Sequence, residues 1–85
     1  MYTITIKKSA AKELEALPKK QVITITAAIL QLAMSPRPQG CKKLKGSYLP
    51  LWRIRIGDYR VVYSIDDVIS VIDVQKVGHR KDVYE

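Results

Sequence analysis

Read from the N-terminus, apolar positions first alternate with polar ones and then recur at helical spacing. Tyr2, Ile4 and Ile6 alternate with Thr3, Thr5 and Lys7, the period of two that marks a short half-buried strand. Ser9 is suited to cap the helix that follows, in which Ala10, Ala11, Leu14 and Leu17 fall at helical spacing while Lys12, Glu13 and Glu15 are placed toward water. Pro18 ends that helix. Proline is tolerated in a first helical turn, so Pro18 also suits the opening of a second helix, predicted over Lys19 to Met34, with an apolar stripe of Val22, Ile25, Ile29, Leu32 and Ala33. Within it, Val22 to Thr26 alternates like a strand, but the apolar pattern continues helically through Ala27, Ala28, Ile29 and Leu30, and helix is the better fit. Ser35 to Gly40 holds two prolines, which remove backbone donors and force their predecessors into extended geometry, so it reads as a linker inside one domain.

Alternation resumes at Trp52, where Trp52, Ile54 and Ile56 interleave with Arg53 and Arg55. Gly57-Asp58 supplies a two-residue Gly-X turn of type II′, with Gly57 taking the positive φ at its first central position. This pairs Ile56 with Tyr59, Arg55 with Arg60 and Ile54 with Val61, so Arg53, Arg55 and Arg60 emerge from one face. Like charges directly opposed are destabilising, and an anionic ligand spanning the face would turn that repulsion into attraction. Asp66-Asp67 is predicted as the next turn, with Ile65 opposite Val68. In that register Ile72 and Val74 join Val61, Tyr63 and Trp52 on the buried face, and Asp73 faces Arg60. Val62, Ile69 and Val71 are left exposed on or near the arginine face. Gly78 permits an exit from the sheet, and His79 to Tyr84 trail off it. The predicted fold is α+β: two N-terminal helices on one face of a small, mostly antiparallel four-stranded sheet, in the order β-α-α-β-β-β, with residues 1–85 as a single domain.

Charge sharpens this picture. The chain of 85 residues carries a net +7, which points to a polyanionic partner such as nucleic acid or an acidic protein. Between Lys42 and Arg60 lie six basic residues, Lys42, Lys43, Lys45, Arg53, Arg55 and Arg60, against the single acid Asp58. A lysine run alone reads equally well as a solvated face; the paired arginines make it a candidate nucleic-acid surface. No apolar run approaches the ~20 residues of a membrane span, no signal-peptide pattern opens the chain, and the lone Cys41 fits a reducing cytoplasm. Neither clustered carboxylates nor Cys/His spacing suggests a metal, and no cofactor motif is present.

The hairpin Arg53 to Tyr63, with Lys43-Leu-Lys-Gly46 before it and Val77-Gly-His-Arg-Lys-Asp-Val-Tyr84 after it, resembles the RelE/ParE toxin superfamily. The likeness covers essentially the whole chain, including the Leu17-Pro18 break, and the Val-Gly-His-Arg ending favours the RelE branch. That resemblance implies a toxin that enters the ribosomal A site and cuts messenger RNA, held inactive by a cognate antitoxin. By match of motifs, it implies that Arg60 is the phosphate-stabilising arginine, Arg80 the arginine after Val-Gly-X, and Tyr84 the C-terminal catalytic tyrosine. Arg53 and Arg55 occupy positions where the family often has lysines, and with Lys42, Lys43 and Lys45 they form the expected RNA-binding set. The segment between Arg80 and Tyr84 is shorter than in some relatives, and the C-terminal helix of other members has no counterpart before Glu85.

The residues suit this chemistry in part. Cleavage through the 2′-hydroxyl needs in-line geometry, a proton acceptor, a donor to the leaving 5′-oxygen, and positive charge around the phosphorane. Arginines supply the charge but stay protonated, so arginine at positions 53 and 55 removes one proposed base. Tyr84 could act as a phenolate among cations, and His79, the only histidine, is the competitor. Trp52, Tyr59 and Tyr63 are most simply core. Tyr48 has two readings, stacking on a base or covering the sheet edge. The function from another class is a ParE-like inhibitor that binds DNA gyrase and does no chemistry, for which a tyrosine beside an arginine cluster has no use.

Overall fold

Two helices pack on one side of a five-stranded sheet in a computed structural model that describes residues 1–46 and 48–80. The elements are β1 (Thr3–Ile6), α1 (Lys8–Glu15), α2 (Lys19–Gln31), β2 (Lys42–Lys43), β3 (Trp52–Ile56), β4 (Tyr59–Asp66) and β5 (Val71–His79). The sheet order is β1-β5-β4-β3-β2, with β1 parallel to β5 and every other pair antiparallel. This is the predicted α+β layer with one strand more than predicted. The addition is β2, whose two exposed lysines pair with Trp52 and Arg53 and carry no alternating pattern of their own. Among the described residues no helix is long and apolar enough to cross a membrane.

The core lies between helices and sheet. Ala10 and Leu14 from α1 and Ile25 and Ile29 from α2, with Leu32, meet Ile54, Val61, Tyr63, Ile72, Val74 and Val77 from the sheet. Helix α1 begins at Lys8 rather than being capped by Ser9. The Lys7 amide bonds the Val74 carbonyl at 2.9 Å as the last rung of β1, which leaves Lys7 extended at the N-cap and Ser9 already inside the first turn. Helix α2 does follow Pro18, whose carbonyl accepts from Gln21 and Val22 at 2.8 and 3.0 Å. It ends at Gln31 instead of Met34. The next amides reach back three residues, Leu32 to Ile29, Ala33 to Leu30 and Met34 to Gln31, tightening the chain ahead of Pro36.

The first hairpin has the predicted register, with Ile56 opposite Tyr59, Arg55 opposite Arg60 and Ile54 opposite Val61. Gly57 sits at φ +59° and Asp58 is not left-handed, which is the type II′ arrangement. The second hairpin differs. Its loop is Asp67 to Ser70, so Ile65 pairs with Ile72 rather than Val68, and Asp73 faces Ser64 rather than Arg60. The Asp66 carboxylate builds this turn by accepting the amides of Val68 and Ile69 at 3.0 and 3.2 Å, and Ser70 takes the left-handed position at φ +55°. A shift of this size preserves facing, so Ile72 and Val74 still reach the core. An irregularity between Val62 and Tyr63 then leaves Gln75 unmatched in the register, and beyond it Val61 faces Val77, adding a third core residue from β5.

Strand β5 does not leave the sheet at Gly78. It continues through His79, which pairs with Tyr59 and meets its ring edge-on at 5.7 Å. Past Val74, where β1 has ended, the free edge of β5 is served by Glu13 of α1. Its carboxylate accepts the Val77 amide at 3.1 Å and pairs with Lys76 at 3.3 Å, so Glu13 is a tie between layers rather than a solvated residue.

Candidate functional site

Two rungs of the sheet carry the basic residues. Lys42, Arg53, Val62 and Lys76 stand in register across β2, β3, β4 and β5, and Arg55, Arg60 and Gly78 form the rung nearer the Gly57-Asp58 turn. Paired residues share a face, so Lys42, Arg53, Arg55 and Arg60 lie opposite the helices. Lys43 pairs with Trp52 and falls on the other face, while Lys45 lies beyond β2 and is exposed.

This face is not the open solvated surface that alternation suggests. Arg53 and Arg60 are only 3% and 7% exposed, Val62 is buried, and Arg55 is exposed. Of the three apolar residues predicted to be exposed here, Ile69 is exposed in the β4–β5 turn, Val71 is half-buried and Val62 is covered. Val62 stands directly across from Arg53 and two residues along the strand from Arg60, where long aliphatic stems pack well.

Arg55 and Arg60 face each other, an arrangement that costs stability unless one charge is drawn aside. Nη1 of Arg60 donates to the carbonyls of Gly57 and Tyr59 at 3.3 and 3.2 Å, which holds the guanidinium against the hairpin turn. Arg80 follows β5 and is fastened to the same turn, its amide donating to the Asp58 carbonyl at 2.7 Å. The structure therefore ties the backbone of Arg80 to the turn that holds the Arg60 guanidinium. Tyr84 lies outside the described residues.

Asp73, expected as a partner of the arginines, accepts instead from Thr5 Oγ1 and Gln75 Nε2, both at 2.7 Å. His79 shares its rung with Tyr59 on the helix side of the sheet, opposite the face of Arg60. Trp52, Tyr59 and Tyr63 border or fill the core as predicted. Tyr48 is 98% exposed and covers no edge.

A groove of about 880 Å³ opens beside β3, between Ala28, Gln31 and Leu32 on one side and Lys42, Arg53 and Ile54 to Ile56 on the other. It joins the basic face at Arg53 and Arg55. Its rim, the linker 35–40, is held by contacts that sequence reasoning did not find. Arg37 binds Asp67 through two nitrogens at 2.9 and 3.4 Å, and its guanidinium lies over the Trp52 ring at 5.0 Å. The Tyr2 hydroxyl donates to Asp67 at 2.6 Å. The bonds from Arg37 and Tyr2 hold the Asp67 carboxyl below the ordinary carboxylate range. The Tyr63 hydroxyl donates to the Pro36 carbonyl at 2.8 Å, and burial pushes that phenol well above its ordinary value, so it stays a donor. A lone arginine between two prolines was the available signal, and its acidic partner lies thirty residues away.

The family described as "ParE toxin of type II toxin-antitoxin system, parDE" matches residues 4–84. The chain is similar to Toxin RelE of Mycobacterium tuberculosis, at 33% identity over 87 residues, covering 98% of this chain and 86% of that one. Among solved structures it is similar to the archaeal RelE-RelB complex from Pyrococcus horikoshii OT3, with a TM-score of 0.82 at 32% identity over 96% of this chain and 98% of that one. The intact Escherichia coli RelBE toxin-antitoxin complex gives a TM-score of 0.79 at 26% identity over 93% of this chain and 96% of that one.

Proposed function

This chain belongs to the RelE/ParE toxin superfamily of type II toxin–antitoxin systems, and on that premise we propose that it is a cytoplasmic, ribosome-dependent endoribonuclease. It cuts messenger RNA in the A site and is held inactive by a cognate antitoxin. The observation that carries this reading is the fastening of Arg60 and Arg80 to one turn, with Arg55 across the rung.

During cleavage the 2′-oxygen bonds to phosphorus as the bond to the 5′-oxygen breaks, giving a 2′,3′-cyclic phosphate and a 5′-hydroxyl. One proton leaves the 2′-oxygen and one is delivered to the 5′-oxygen. The extra negative charge of the phosphorane is met by the Arg60 fork, already held at the turn, and by the Arg80 side chain that follows the same turn, and preorganised charge of this kind is worth several kcal/mol of barrier. Arg60 and Arg80 hold the phosphate; Lys42 and Arg55 track the strand over the buried Arg53, with Lys45 and Tyr48 extending the contact along the loop before β3, while Lys43 lies on the other face of the sheet. The base is sought in Tyr84, ahead of His79, because His79 sits on the helix side of the sheet. A lysine is the third candidate. With no independently tuned acid and base pair among these groups, alignment by the ribosome supplies what the site lacks.

The ParE description of the family match favours a second reading, a non-enzymatic inhibitor of DNA gyrase. That reading leaves the fastened arginines unused. Adding the protein to a translating extract and mapping cuts in the message, beside a gyrase supercoiling assay, separates the two. Cut messages with unimpaired gyrase are the expected result, and intact messages with inhibited gyrase the opposite one.

A further inference from the structure

Helix α2 carries two apolar stripes, and the core uses one. Val22, Ile25, Ile29 and Leu32 turn toward the sheet. Nearly opposite, Ile23, Ala27 and Leu30 recur at i, i+4 and i+7, the spacing of a seam that packs against another helix, and Met34 extends the row in the turn just past the end of α2. These residues stand in water: Ile23 is 64% exposed, Leu30 59% and Met34 68%. Ala27 is exposed as well. In a chain that is 27% charged, none of the sixteen residues from Gln21 to Pro36 carries a charge. Contiguous apolar surface without charges is the composition of the centre of a protein contact.

We infer that this outer face of α2 docks an amphipathic helix of an acidic partner protein, the antitoxin. The identity of the partner rests on the reading in the preceding subsection; the surface is a separate claim. Charge argues against a second copy of this chain, since each copy carries +7 and exposes Lys19 and Lys20 at the start of the same helix. Area argues the same way. Three side chains on α2 and Met34 just beyond it offer a few hundred Å², short of the ~800 Å² per partner of a stable complex, so the seam is one station on a longer contact. Continuity supplies the rest of that contact. Gln31 and Ser35, adjacent to Leu30 and Met34, line the groove beside β3, where Lys42 and Arg55 bring positive charge. A partner helix seated on the seam thus leads past the end of α2 into a cationic groove, which suits a segment that is apolar along its helix and acidic beyond it. RNA does not fit the seam, where a phosphate meets no cation.

The test uses the full chain and the product of the adjacent reading frame as the probe, each purified, with the exposed double variant I23E/L30E. Both side chains are outside the core, so the variant is expected to keep the melting temperature and message cleavage of the parent. Binding of the probe is expected to weaken roughly thirtyfold or more, the loss typical of removing central contact residues. Undiminished affinity of I23E/L30E would overturn the surface. Failure of the unmodified chain to bind the probe would overturn the antitoxin reading instead. Self-association of the unmodified chain in sedimentation, abolished by I23E/L30E, would assign the seam to a second copy and overturn the choice of partner.

Discussion

Arg60 and Arg80 are fastened to consecutive carbonyls of one turn, the guanidinium of Arg60 to Gly57 at 3.3 Å and the backbone amide of Arg80 to Asp58 at 2.7 Å. Moving that turn moves both arginines. Gly57 stands at φ +59°, and a Cβ there would meet no atom within 4 Å, so Gly57→Ala imposes backbone strain without a clash. The expected cost is ~1–2 kcal/mol, seen as a melting temperature lower by several degrees. Cleavage of messages measured well below that melting temperature should fall further than folding does. Full cleavage by a folded Gly57→Ala protein would show that the turn does not position the pair.

Arg60 has a second partner in the Tyr59 carbonyl at 3.2 Å, and its side chain is almost wholly buried. Arg60→Lys keeps the charge but loses the planar fork. Ribosome-dependent cleavage is expected to drop about 10²–10³-fold, the range for loss of an oriented donor at a developing charge. A lysine variant with parental rates would mean that charge alone suffices.

Acid should loosen the rim of the groove through Asp67. Its carboxyl is held low first by the bond from Arg37 and then by Tyr2, so the folded chain keeps it ionised where the unfolded chain would protonate it. The resulting stability is fully present above the ordinary carboxylate value of about 3.9 and is lost as pH falls through the lower folded value. Melts of the parent and Asp67→Asn should therefore differ at pH 7 and converge in strong acid. An unchanged difference down to pH 2 would remove Asp67 from the acid response.

What was legible in the sequence was set by local signals. Gly57-Asp58 fixed one hairpin because Gly-X admits few turns, and every pairing from Trp52 to Tyr63 followed from it. The second hairpin offered Asp66-Asp67, which looked like a turn centre but is a turn start; the left-handed position is filled by Ser70, where glycine would have been the signal. The break in register after Val62 has no glycine or proline to announce it. Alternation told which face Arg53 and Arg60 share, not that they are buried there, because burial depends on what lies over the sheet. Arg37 and Glu13 were missed for a common reason: their partners are distant in sequence.

Single-turnover cleavage on programmed ribosomes, comparing the parent with Arg80→Ala and Tyr84→Phe, tests the central claim most directly. Arg80 is exposed after the last strand, so its loss should leave the fold intact while removing transition-state charge. Tyr84→Phe keeps the ring and removes one hydroxyl, which should cost the ~10²–10⁴-fold typical of proton transfer. The account predicts slow cleavage by both variants, each with a parental melting temperature and parental binding to the antitoxin. Parental rates for Tyr84→Phe would take the proton transfer away from that residue, and parental rates for both variants, or intact messages with the unmodified protein, would contradict the account.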